Sequence, residues 1–185
     1  KNAMKITDIK TYPVWAGSRN QLILKIETDA GIYGWGEAGL SFRELAVAGA
    51  VRHYREWLIG RDPLQRGALW QEMYRSQYFE GGRVLLGAQS AIDIALHDIV
   101  GKALNVPVYQ LLGGKQRDFV PVFATVFSTG TTLIEEVQFL LAQGWNVIRT
   151  FAAHPDTGED RTIWEPRASI GPTATLLTKL REAVG

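Results

Sequence analysis

Hydrophobic and polar residues alternate over positions 5–14, 21–28 and 32–37, the period-two pattern of strands with one buried face. Between the second and third runs, "TDAGIYGWG" supplies a turn, with Asp29 and Gly31 at positions that tolerate positive φ. The polar, irregular "WAGSRN" between the first two runs reads as a loop. These features predict an antiparallel three-stranded meander.

The period then lengthens to that of helices. "SFRE" (Ser41 to Glu44) predicts a capping box opening a helix that runs to about Leu58. "DPLQ" predicts a second start, with Asp62 as N-cap and Pro63 at the first helical position, where its missing N–H costs nothing. "YFEGGRVLLG" reads as a glycine-interrupted loop leading into a long helix from about Ala88 to Leu104, with Ile92, Leu96, Ile99 and Ala103 on one face. Asn105 suits a left-handed stop and Pro107 forbids continuation.

From Phe119 the pattern changes again. "FVPVFATVF" is a continuous apolar run, the mark of a strand covered on both faces. Thr132 with Glu135 predicts a helix with Ile134, Val137 and Leu141 buried, ended by Gly144. "WNVIRTF" reads as the next buried strand, a polar segment follows to Gly171, and Pro172 opens a last helix. Strand, helix, strand, helix is the order of a parallel sheet. The domain boundary is expected near "GGKQR", Gly113 to Arg117, dividing residues 4–117 from 118–185.

Composition narrows the function classes. The 185 residues are 46% hydrophobic and 21% charged with a formal charge of +1, which favours neither nucleic acid nor an anionic membrane surface. Charges are interspersed, without a basic stripe carrying interleaved aromatics. No apolar run approaches the roughly 18 residues a membrane helix needs, so no membrane partner is expected. Cysteine is absent, which removes disulfides and thiolate metal sites and suits a cytoplasmic location. Residues 1–3 precede Met4 and read as a cloning remnant. Neither "GGRVLLG" nor "GIYGWG" carries the ending of a phosphate loop.

The stretch "AQSAIDIALHDIVGKALNVPVYQLLGG" resembles the signature of the mandelate racemase and muconate lactonizing branch of the enolase superfamily. The matching residues are Ala88, Ala91, Asp93, Ala95, Leu96, Asp98, Gly101, Lys102, Pro107, Val108, Leu111, Leu112, Gly113 and Gly114. "GWGEA" at the close of the meander and "GRDP" at Gly60 to Pro63 are similar to that family as well. The resemblance implies an α+β capping domain, with a three-stranded antiparallel meander plus helices, followed by the first strands and helices of a TIM (β/α) barrel. It gives the quoted stretch a physical reason: small Ala side chains let a helix lie close to its neighbours, and Pro and Gly route the chain from cap to barrel. Asp93, His97 and Asp98 read as structural, because one His and one carboxylate on a helix face do not make a metal site.

Members of that family abstract the proton α to a carboxylate and stabilise the enediolate with a divalent cation, normally Mg²⁺. The resemblance places the Mg²⁺ ligands beyond residue 185, on later barrel strands. Asp156, Glu159 and Asp160 have the hard-oxygen chemistry of cation ligands, but read as a solvated loop. "WAGSRN" stands at a first specificity loop, where Trp15, Arg19 and Asn20 would contact a substrate carboxylate or hydroxyls; "YFEGGR" stands at a second, where Tyr78, Phe79 and Arg83 would line the pocket.

At the end of the second barrel strand many members carry a Lys-x-Lys pair, whereas this chain has Arg149, Thr150 and Phe151. Arginine stays protonated and is a poor base. Together with "WEPR" (Trp164 to Arg167), this is more similar to the acid-sugar dehydratases, the mannonate and galactonate types, and especially to the mannonate dehydratase-like members, in which an Arg and a loop Tyr cooperate. No Tyr follows Tyr109 here. Arg149 and His154 are the candidate catalytic residues, His154 as a proton shuttle or a surface histidine, and Thr125 is a candidate substrate contact or a buried strand threonine. The expected partner is a small-molecule carboxylate, a sugar acid, within a homo-oligomer. The alternatives are a racemase or cycloisomerase of the same family, or a non-catalytic assembly module.

Overall fold

In a computed structural model the N-terminal alternation becomes three antiparallel strands in the order β1 (Ile6–Trp15), β2 (Asn20–Thr28) and β3 (Tyr33–Glu37). The structure describes residues 3–76, 78–79, 81–128, 130–153 and 166–185. Two units divide the chain, Lys1–Gln116 and Arg117–Gly185.

In the first unit Leu22, Leu24 and Ile26 of β2 are buried, while Ile23, Lys25 and Glu27 take the opposite face, as a two-residue period requires. Ile9 lies across from Ile26, and Lys25 from Trp35. Gly31 takes the positive φ of the second turn, at 73°. Asp29 instead accepts the Lys5 N–H at 2.8 Å and ties the turn to the start of the sheet. The loop between β1 and β2 is shorter than its sequence implied. Trp15 and Asn20 are paired strand residues, and the Ala16 N–H donates to the Arg19 carbonyl at 2.9 Å.

Helix α1 (Glu44–Leu58) buries Val47, Ala50, Val51, Tyr54 and Leu58, a stripe of helical period. The expected Ser41 cap does not form. Phe42 sits in the left-handed region at φ 65°, which separates Ser41 from the first turn. The Glu44 carboxylate instead accepts the Phe42 N–H at 2.6 Å, one residue past the Ser41 N–H that a capping box would use. Asp62 does cap a short 3-10 turn, Pro63–Gln65, by accepting the Leu64 N–H at 2.9 Å, and α2 (Arg66–Arg75) follows.

The long helix α3 spans Gly82–Leu104 and starts six residues earlier than the sequence predicts. The glycine read as a loop residue, Gly87, lies inside it, where a Cβ would come within 2.6 Å of Leu40 Cδ1. The space a side chain would take is filled from outside the helix, so tertiary packing overrides glycine's low propensity. Ile92, Leu96 and Ile99 are fully buried against the sheet and α1. By length and composition α3 could cross a membrane, contrary to expectation, and 56% of its most apolar stretch is buried in the fold. It ends as predicted at Asn105, φ 54° and ψ 43°, with the Val106 N–H reaching the Gly101 carbonyl at 2.9 Å. Pro107 then precedes a single turn, α4 (Val108–Leu111).

The second unit pairs β4 (Ala124–Thr125) with β5 (Ile148–Arg149) in parallel, alternating with α5 (Gly130–Ala142) and α6 (Ile170–Val184). Val126, Leu133 and Val137 form its core, joined by Leu140, Ile148, Leu176, Leu180 and Val184. Three expectations change here. The 119–127 run is not a long strand covered on both faces: two residues are ladder-paired, and Phe119 and Phe127 are 74% and 75% exposed. The core of this unit contains helices on one side of the ladder alone, so only that side excludes water. Second, α5 begins two residues before the proposed Thr132 cap, and its buried stripe is Leu133, Val137 and Leu140, with Leu141 and Ile134 more peripheral. Third, α6 begins at Ile170, which puts Pro172 inside the first turn, where its missing N–H is still harmless. Gly144 ends α5 at φ 93° as expected.

Candidate functional site

The two-residue period of the second unit sorts its side chains. Val126 and Ile148 pack among the helices, so Thr125 and Arg149, their neighbours along each strand, face away from them. Thr125 and Arg149 are partners in the parallel ladder, and the Val126 N–H donates to the Arg149 carbonyl at 2.9 Å. The Arg149 guanidinium lies 5.0 Å from the Phe123 ring centroid and 5.7 Å from that of Phe151. Phe151 in turn stacks on Phe127 with centroids 5.2 Å apart. Sequence reasoning singled out Arg149 and Thr125 and missed Phe123 and Phe151. The signal was present: reading "FVPVFATVF" and "VIRTF" by twos puts Phe123, Thr125 and Phe127 on one face, and Arg149 and Phe151 on the other strand's equivalent. Just beyond β5, the Ala153 N–H donates to the Thr173 hydroxyl of α6 at 3.0 Å, anchoring the chain as it leaves the strand. His154, with Asp156, Glu159, Asp160 and Trp164, lies outside the described residues.

In the first unit Trp15 is 62% exposed at the end of β1, and Arg19 is exposed in the turn with Asn20 half-buried at the start of β2. Tyr78 and Phe79 are 89% and 63% exposed, with ring centroids 4.2 Å apart. Arg83 is a correction: it belongs to the first turn of α3 rather than to a loop, and it is exposed there. An open cavity of about 610 Å³ lies between α1 and α2, lined by Trp57, Gln71, Glu72, Arg75 and Ser76; none of the sequence-predicted residues lines it.

The polar residues of α3 that match the family-like motif, with His97 beside them, have structural employment. The His97 Nε2 accepts the Arg66 Nε–H at 3.0 Å, which leaves the proton on Nδ1, and Nδ1 donates to the Asp93 carbonyl at 2.8 Å. Asp98 and Lys102 bind the edge of β3. The glycines of "GWGEA" face this same helix. A Cβ on Gly34 or Gly36 would run into the backbone carbonyl of Ala95 or Ala91. On Gly101 it would come within 2.9 Å of the Val106 carbonyl.

Two charge clusters form on the first unit, one across the sheet and one between β1 and α1. Glu27 accepts from Lys10 at 2.8 Å and Lys25 at 2.7 Å; these bonds, Lys10 first, hold its carboxyl down at about 2. Burial pushes the Asp8 carboxyl up, but the Arg55 guanidinium at 3.0 Å and the Ile9 N–H outweigh that and leave it below the ordinary range. Among the described residues no three His, Cys, Asp or Glu side chains gather in a way that would hold a metal ion.

Comparison with known proteins accounts for this pattern. The N-terminal-domain profile of the mandelate racemase / muconate lactonizing enzymes matches residues 13–113. A D-galactonate dehydratase of Variovorax paradoxus is 46% identical over 142 residues, 76% of this chain and 36% of its own length. A D-galactonate dehydratase of Pectobacterium atrosepticum is 37% identical over 98% of this chain and 46% of its own. The chain therefore spans less than half the length of these relatives. Among solved structures, an enolase from Pantoea ananatis, with D-gluconate and Mg bound, superposes with a TM-score of 0.85 at 30% identity over 98% of this chain and 51% of that one. The glycines of β3, the alanines of α3 and the Asn105–Pro107 exit all fall within the matched residues, and the chain belongs to the mandelate racemase / muconate lactonizing enzyme family.

Proposed function

We propose that this chain is the capping and barrel-opening part of an acid-sugar dehydratase. The substrate loses the proton α to its carboxylate and then its β-hydroxyl, which leaves as water, and the resulting enol becomes a 2-keto-3-deoxy acid. The observation that carries the reading is Arg149, a permanent cation on β5 beside Thr125, at the position where a lysine base would favour racemisation or cycloisomerisation. Arg149 binds and orients the substrate carboxylate, and Thr125 donates a hydrogen bond beside it. Trp15, Arg19, Asn20, Tyr78, Phe79 and Arg83 are the proposed substrate contacts of the cap, and His154 a proton shuttle. The names of the Variovorax and Pectobacterium relatives support the substrate class.

The described residues do not fit a metal site. The Mg²⁺ ligands and the base for the α-proton belong to later strands of the barrel. The Pantoea ananatis structure, with its D-gluconate and Mg, supports that cofactor. The enzyme works in the cytoplasm as a homo-oligomer.

The test is a panel of aldonic and aldaric acids, D-galactonate and D-gluconate included, assayed with full-length protein and Mg²⁺. Formation of a 2-keto-3-deoxy acid, lost in Arg149→Ala, is the expected result. Inversion or ring formation on another carboxylate, with no water loss from any sugar acid, would overturn it.

A further inference from the structure

We propose that Phe123 and Phe151 are positioning residues for Arg149, holding its guanidinium between their rings while leaving its N–H edge open to an anionic substrate group. The proposal rests on the sugar-acid reading above.

Other arginines in this protein are held differently. Arg55 is fixed by Asp8 at 3.0 Å, and Arg61 by both oxygens of Glu72 at 2.7 and 2.8 Å. A carboxylate partner fixes an arginine by using its donors and cancelling its charge. Either loss would compete with an incoming carboxylate. Among the described residues no carboxylate pairs with Arg149; two aromatic rings flank it, at 5.0 and 5.7 Å. An aromatic face attracts the flat side of a guanidinium through its quadrupole and accepts none of its in-plane N–H bonds. The cation is thus oriented with its fork intact, and the entropy of ordering a long side chain is spent before the substrate arrives.

Three features make the arrangement a built one. The rings come from both sides of the ladder: Phe123 immediately precedes β4 and Phe151 lies two residues past Arg149, just beyond the end of β5, and both rings reach the guanidinium. Phe151 is itself held by stacking on Phe127, with 27° between the ring planes. And the opposite face of the same ladder is closed by Ile148 and Val126 in the helical core, which fixes the strand from which Arg149 projects.

The test uses full-length protein carrying Phe123→Leu, Phe151→Leu, the double change, and Phe151→Trp, which restores a stronger ring. With D-galactonate the leucine variants should raise KM about 3- to 10-fold each while kcat changes less, and tryptophan should recover most of the loss. A loss of kcat with KM unchanged, or tryptophan no better than leucine, would overturn the proposal. A second readout needs no turnover: the rate at which phenylglyoxal modifies Arg149, followed by peptide mass spectrometry. It should rise in the leucine variants and stay low with tryptophan; rates equal to wild type in every variant would overturn the proposal. Absence of turnover on any sugar acid would count against the dehydratase reading, and the modification rates would then decide whether the rings hold Arg149.

Discussion

The carboxylate of Asp98 accepts the backbone N–H of Trp35 at 3.0 Å, so a side chain from α3 occupies a hydrogen-bonding place on β3 that a fourth strand would otherwise take. Lys102, one turn on, completes the arrangement. Its ammonium donates to the Tyr33 carbonyl at 2.7 Å and to Asp98 at 2.7 Å. Strand β3 is a sheet edge, and open edges recruit other strands. Two of the family-like residues, Asp98 and Lys102, therefore satisfy backbone groups rather than substrate.

Removing that cover has a measurable consequence. Asp98→Ala should cost about 1–2 kcal/mol, because the Trp35 N–H loses its partner and Lys102 its counter-charge. It should also promote concentration-dependent self-association. Urea denaturation and light scattering read the two effects. Asp98→Asn, which keeps an acceptor oxygen, should lose less; equal losses in both would reject the edge-cover account.

The close approach of β3 to α3 makes a sharper prediction. Gly36→Ala places a methyl group against the Ala91 carbonyl, and strand and helix must separate. The expected loss is about 3 kcal/mol or more, larger than ordinary overpacking of side chains, since backbone has no rotamer to yield. Gly49→Ala in α1 is the control: nothing lies within 4 Å of a Cβ there, and alanine should be neutral or stabilising.

The helix exit is a third test. At φ 54° Asn105 occupies a conformation that costs a branched residue most. Asn105→Gly should leave stability within about 0.5 kcal/mol, whereas Asn105→Val should cost about 1–2 kcal/mol. Thermal melts of the two variants give the comparison, and a harmless valine would mean that the left-handed exit is not required.

Acid sensitivity follows from the sheet's charges. The Glu27 carboxyl titrates near 2 in the folded chain against an ordinary 4.5, so the folded state binds its proton less readily than the unfolded one. Its contribution is fully present above about 4.5 and disappears as pH falls toward 2. Glu27→Gln should therefore lower the urea midpoint at pH 7 and lose less than wild type between pH 5 and pH 3. Salt should narrow the difference, because the cluster is open to solvent. Parallel pH profiles for the two proteins would refute this.

Sequence alone determined what local chemistry controls. The alternation of residues 21–28 demands one buried face, Asp62–Pro63 demands a turn start, and Asn105–Pro107 demands an end; each depends on φ, on a missing N–H or on side-chain period, which are properties of the residues themselves. The family-like spacing of Ala91, Ala95, Gly34 and Gly36 was also legible. What only tertiary structure decided is where distant groups meet. Ser41 lost its capping role to the left-handed turn at Phe42, and Gly87 was drawn into α3 because Leu40 packs over it. Arg149 came to lie against Phe123 and Phe151, which flank two strands separated by a helix. A residue's propensity is a preference of a few tenths to one kcal/mol, and burial of a side chain is worth more, so packing settles every case in which the two disagree.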